Sequence, residues 1–192
     1  MRYVNEPREG LCVAIQSNGY ISGLASSDPA KLAYAIDRLK EEHGELREKL
    51  RKLEASAKEL ILVDDSEKGI QQIRALRVMT NHFMQELRKH SEWEYRDFFP
   101  FLLTYFHRQS EPSMMPSFWV LEKDHQLGVS FIRSFQEAAI DVTPLVVKKQ
   151  LADTAAHLVQ ACLILNDHFT MEEQLVFPLT ERVLTDLEHF FS

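Results

Sequence analysis

The chain has 192 residues, enough for one well-buried core and short for two ordinary domains. Apolar residues make up 45% and charged residues 27%, as in soluble globular proteins, while 6 Gly and 7 Pro are too few for a turn-rich β-sandwich. A net charge of −7 supplies no basic surface for phosphates, which excludes a dedicated nucleic-acid binder.

Residues 1–27 form a short N-terminal segment unlike the rest. Leu11–Gln16 and Tyr20–Gly23 read as two short strands about an Asn18-Gly19 turn. An isolated hairpin is marginal in water, so it is expected to pack on the remainder. Its edge offers a place for a homodimer or another partner. Glu6 and Glu9 follow close behind the start, with no long apolar core of a signal peptide. No apolar stretch approaches the roughly 20 residues that span a bilayer, so a membrane partner is not expected. The two cysteines, Cys12 and Cys162, form no C-x-x-C pair and no disulfide framework, which fits a reducing cytoplasm.

From residue 28 onward the chain reads as one helical domain, 28–192. Ser26-Ser27-Asp28-Pro29 is a helix start, with a capping side chain before a proline in the first turn. The first helix runs to about Leu62. Its apolar stripe is Leu32, Ile36, Leu39, Leu46, Leu50, Leu53, Ala57 and Leu60, and His43 occupies a place in it. After a turn at Val63–Lys68, a second helix carries Ile73, Leu76, Thr80, Phe83, Leu87, His90, Glu94, Phe98 and Phe101. Pro100 lacks the N–H that continues the ladder, so this helix is expected to kink or end there, with a further turn through Phe106. A two-proline loop at Gln109–Pro116 leads to a third helix over about Ser117–Ile140, with His125 in its stripe. The fourth helix runs to about Pro178 and extends beyond it. Its stripe is Val147, Leu151, Thr154, Leu158, Ala161, Leu165, His168, Glu172, Leu175 and Leu179. Four long amphipathic helices with short links predict an all-α, antiparallel up-down-up-down four-helix bundle.

One unit occurs twice in this framework. A His is followed by a carboxylate one turn later and then by Phe-Pro: His90, Glu94, Phe99-Pro100 and His168, Glu172, Phe177-Pro178. A further His lies upstream of each copy in similar text, His43 and His125. Residues one turn apart share a helix face, so each His and Glu of a pair can aim at one point. A two-fold arrangement of the halves brings His43, His90, Glu94, His125, His168 and Glu172 to one level. Six unpaired polar groups in a dry core would cost several kcal/mol. A metal is the simplest explanation for them. Imidazole with carboxylate suits non-haem iron, manganese or zinc, and thiolate ligands are absent. Two octahedral ions offer about twelve places, of which four imidazoles, two bridging carboxylates and one bridge fill about ten. The open places separate a reactive centre from a structural one. Glu86, one turn before His90, is placed to orient it, Glu173 is expected to be solvated, and His157 is a spare ligand. Trp93 and Phe169 neighbour the ligands and are read as shields or as packing.

The order His43, His90-x3-Glu94, His125, His168-x3-Glu172, with Phe-Pro after each Glu, resembles the hemerythrin-like (HHE cation-binding) family over about residues 30–180. Val129 stands where the oxygen carriers have a second His on the third helix, so the pattern is nearer the four-His, two-Glu di-iron branch. The resemblance implies an oxo- or hydroxo-bridged di-iron centre on those six residues, with Zn or Mn as alternatives. It implies a function of binding, sensing or responding to a small diatomic or peroxide ligand. The alternatives are iron handling, iron–sulfur centre repair, and a metal-independent helical interaction module. No substrate pocket or acid–base pair beyond the ligands is evident, so the sequence makes no claim of an enzyme.

Overall fold

A computed structural model describes residues 29–107, 115–143 and 148–191. The expected N-terminal hairpin, with Cys12, lies outside the described residues.

Among the described residues every regular element is helical. Helix α1 spans Pro29–Ile61 and α2 spans Ser66–Trp93. Asp65 caps α2, its side chain accepting from the backbone N–H groups of Glu67 and Lys68 at 2.8 and 3.2 Å. A single π-helical stretch, Glu94–Phe98, joins α2 to α3, Phe99–His107. Helix α4 spans Met115–Ile140 and α5 spans Lys148–Phe191. The cross-helix contacts run in opposite directions along each neighbouring pair. On α1 and α2, Lys49 meets Glu86 while His43 meets His90. On α4 and α5, Phe131 meets His157 while His125 meets His168. On α1 and α5, Lys40 meets Phe177 and Arg47 meets Asn166. This is the antiparallel four-rod bundle, with α2, the π-turn and α3 forming one rod and α5 packed along both α1 and α4.

The expectation at Pro100 needs correction in part. The rod does not end there: it passes through a π-turn and runs on to His107, in keeping with the expected further turn. The Phe99 N–H reaches back to the Glu94 carbonyl, five residues earlier. In an α-helix the proline ring would press on the carbonyl four residues back. Widening the turn by one residue moves that carbonyl away and lets the rod continue. The inserted residue also explains why Phe98 and Phe99 are both buried. The second Phe-Pro behaves differently. Pro178 sits inside an unbroken α5 at an exposed position, and so does Gln174, whose carbonyl loses its partner. Thr180 donates its hydroxyl to the Val176 and Phe177 carbonyls at 3.1 and 2.9 Å. The apolar stripe past Glu172 runs through Val176, Thr180 and Val183, one place on from the expected Leu175 and Leu179, which are half-buried.

The buried apolar side chains fall into two clusters. The larger runs from Leu46 to Leu60 on α1, Ile73 to Leu87 on α2, Ile132 to Ala139 on α4 and Leu151 to Phe169 on α5. The smaller joins Leu32 to Leu39, Trp93, Phe98, Phe99, Leu102, Phe118, Leu121, Val176 and Val183. Between them lies one polar layer, and the repeated His and Glu residues occupy it. Gly128 lets α4 approach α5 at this level, because a Cβ there would fall 2.6 Å from Leu165 Cγ.

Candidate metal centre

Each helix delivers its part of the polar layer from its apolar stripe. His43, His90, Glu94, His168 and Glu172 are all buried, and His125 keeps some exposure at the edge. His43, His90, Glu94 and Glu172 each bring one ligand-type atom to a common point, all within 4.8 Å of one another. His43 Nε2 lies 3.1 Å from His90 Nε2, 3.7 Å from Glu94 Oε1 and 3.5 Å from Glu172 Oε2. His90 Nε2 lies 2.8 Å from Glu94 Oε1. His168 and His125 stand beside this cluster. His168 Nε2 is 3.6 Å from Glu172 Oε2, and the His125 ring is 5.6 Å, centroid to centroid, from that of His168. His125 also contacts Ser91 Oγ, 3.2 Å from its Nε2.

The outward nitrogens show how the rings are held. His90 Nδ1 contacts Glu42 Oε2 at 2.8 Å, and His43 Nδ1 contacts Glu173 Oε1 at 2.9 Å. A neutral imidazole that gives its Nδ1–H to a carboxylate presents a lone pair at Nε2, the atom of each ring that faces inward. Arginines stand behind both carboxylates. Arg38 donates to Glu42 at 2.7 Å and lies over the Trp93 ring, and Arg47 pairs with Glu173 at 3.2 Å and donates to Asn166 and Thr170. The Phe169 ring packs against His43, His90 and His168, at 4.8, 6.0 and 5.5 Å between centroids, and closes the layer on one side.

Two sequence expectations are corrected here. Glu173 is half-buried and holds His43, where solvation was expected. Glu86 pairs with Lys49 and does not orient His90, a task that Glu42 performs. The spare ligand, His157, packs near Phe131 three turns from His168. Sequence reasoning missed Glu42, Arg38 and Arg47. The available signal was adjacency, since Glu42 immediately precedes His43 and Glu173 immediately follows Glu172.

The charges in the layer are strongly coupled. Burial lowers the basicity of His43, but the carboxylates of Glu172 and Glu94 outweigh it and hold the ring at about 9. Burial likewise opposes a proton on His90, and the Glu94 charge with the Glu42 contact raises it to about 10. Burial pushes His125 down to about 4 and His168 down to about 3, the latter helped by His125 itself. Burial and the neighbouring Glu94 charge push Glu172 up, whereas His90 and His43 overcome burial to hold Glu94 well below the carboxylate range.

The donor set fits a metal. Glu94 Oε1, both ring nitrogens of His168 and both carboxylate oxygens of Glu172 are buried and make no well-formed hydrogen bond, although Glu94 Oε1 lies 2.8 Å from His90 Nε2. Buried polar atoms are almost always satisfied, and five such atoms in one layer of a well-packed bundle call for a further group. Two imidazole Nε2 atoms 3.1 Å apart call for a proton between them in the metal-free chain or a cation in its place. Nitrogen and carboxylate oxygen, with no sulfur, suit iron, manganese or zinc.

No curated protein and no solved structure matches the chain. A family model described as the hemerythrin HHE cation binding domain matches residues 34–180, which takes in all six repeated His and Glu residues and most of the bundle. The chain therefore belongs to the hemerythrin HHE cation-binding family.

Proposed function

We propose that the bundle holds a pair of metal ions, iron in its working state, on His43, His90, Glu94, His125, His168 and Glu172, and uses them to bind and respond to a small oxidant such as oxygen, nitric oxide or peroxide. The observation that carries this reading is the layer of buried, unpartnered nitrogen and oxygen atoms between two apolar clusters. Glu94 and Glu172 reach the layer from facing rods and are the carboxylates suited to bridge. The four imidazoles would supply the remaining nitrogen donors. A ferrous pair held there would supply electrons and Lewis acidity towards a diatomic or peroxide ligand.

The chain's own residues define the surroundings. Glu42 and Glu173 fix the orientation of two imidazoles, and Phe169 keeps water from three of them. Val129, one turn after His125, offers no ligand atom, which supports the four-His, two-Glu branch. The test is to titrate the anaerobic ferrous protein with nitric oxide and with oxygen while recording absorption spectra. Saturable spectral changes with each gas support the reading. A fully iron-loaded protein whose spectrum ignores oxygen, nitric oxide and peroxide would overturn it and leave iron storage or delivery as the function.

A further inference from the structure

The internal repeat makes the two halves of the site comparable residue by residue, and their surroundings differ. In the half built on His43 and His90, each outward nitrogen meets a carboxylate, and each carboxylate is backed by an arginine of α1. In the half built on His125 and His168 nothing of this kind occurs. Both His168 ring nitrogens are without a hydrogen-bond partner, the nearest carboxylate oxygen being Glu172 Oε2 at 3.6 Å on the inner side. The place before His125 that matches Glu42 holds Asp124, which makes no hydrogen bond or ion pair among the described residues. Arg38 and Arg47 stand five residues before and four after His43; the same places about His125 hold Val120 and Val129. The match of Glu173, which follows Glu172, is Tyr95, which follows Glu94 and sets its ring edge-on to His125 at 6.2 Å. The four residues that already converge within 4.8 Å include both imidazoles of the first half and neither of the second.

We infer that the two metal positions are unequal: the His43–His90 half takes the first ion and keeps it, and the His125–His168 half takes the second ion weakly and releases it first. This rests on the two-metal reading above. A carboxylate on the outer nitrogen locks the ring's tautomer and direction before any metal arrives and makes the inner nitrogen a better donor. The arginines hold those carboxylates in place. The second half has no outer carboxylate on either ring, only the Ser91 hydroxyl beside His125, and must orient His168 at the moment of binding, which costs side-chain entropy that the first half has already lost on folding. At low metal supply the chain then holds one ion, and a second arrives only as the supply rises.

The test is an anaerobic titration of the metal-free full chain with cobalt(II), followed by calorimetry and by electron paramagnetic resonance. Two steps at least about tenfold apart in affinity are expected, because losing one such outer partner typically costs 10–100-fold. At one equivalent the resonance signal should be that of isolated ions, with magnetic coupling appearing only in the second step. Glu42→Gln and Glu173→Gln should each weaken the first step by about 10–100-fold while the second stays in place. His168→Ala should remove the second step and preserve the first. Two ions entering in one step, with coupling from the outset, would overturn the inequality while leaving the two-metal reading intact. So would Gln variants, shown by circular dichroism to be folded, that weaken both steps alike. A wild-type chain that takes no cobalt and no ferrous iron would instead bring down the two-metal reading itself.

Discussion

His43 and His90 favour a proton in the metal-free chain, whereas His125 and His168 resist one, and this split sets a pH profile. The folded values of His43 and His90, about 9 and 10, lie above the ordinary 6.5. Their contribution to stability is complete below pH 6.5 and is lost as pH rises through 9 and 10. Glu172, raised from 4.5 to about 8, adds a loss over that interval as pH rises. The folded values of His125 and His168, about 4 and 3, lie below 6.5. Their contribution is present above 6.5 and is lost as pH falls towards 4 and 3. Metal-free protein should therefore be most stable near pH 6.5 and weaken on both sides, as denaturant midpoints across the pH range would record. With metal bound, the alkaline loss should disappear, since the ion displaces those protons and its affinity rises with pH. A midpoint that climbs steadily to pH 9 without metal would contradict the protonation pattern.

At the scale of the element, two devices set the height of the polar layer. The π-turn at Glu94–Phe98 absorbs Pro100 and turns Phe98 and Phe99 together into the smaller apolar cluster. Gly128 lets α4 close on α5 beside His125 and His168. Gly128→Ala would put a Cβ 2.6 Å from two carbons of the buried Leu165 side chain. The overpacking costs about 1–3 kcal/mol and the gain in helix propensity returns about 1 kcal/mol, so a net loss of up to about 2 kcal/mol is expected. Chemical denaturation of the variant checks it, and unchanged or raised stability would show that α4 and α5 do not depend on this close approach. The proline was visible in the sequence, but the turn it selects was not. A helix can meet a proline by ending, kinking or widening by one residue, and the choice depends on which side chains the neighbouring rods bury.

At the scale of the whole molecule, the bundle was legible because its stripes of apolar residues repeat at helical spacing on all four rods. Buried positions such as Leu39, Leu53, Phe83, Phe135 and Leu158 lie where that spacing puts them. The polar layer was legible because the same spacing carries His43, His90, Glu94, His168 and Glu172 into the interior. What supports the layer was harder to read. Glu42 and Glu173 lie off the apolar stripe, so their helical phase suggested solvent. Only the packing of α1 against α2 and α5 brings them to His90 and His43. Glu86 fails in the opposite way, having the right spacing on its own rod but the nearer attraction of Lys49. Partners on one helix follow from periodicity, whereas partners across helices depend on the relative rotation of the rods, which periodicity leaves open.

The measurement that tests the central claim most directly is metal content per chain after anaerobic reconstitution with ferrous iron, with absorption recorded before and after air. About two irons per folded chain, with new charge-transfer absorption on exposure to air, are expected. A chain that stays folded, colourless and free of iron would contradict that claim, and would mean that the buried nitrogen and oxygen atoms of this layer are held without a metal.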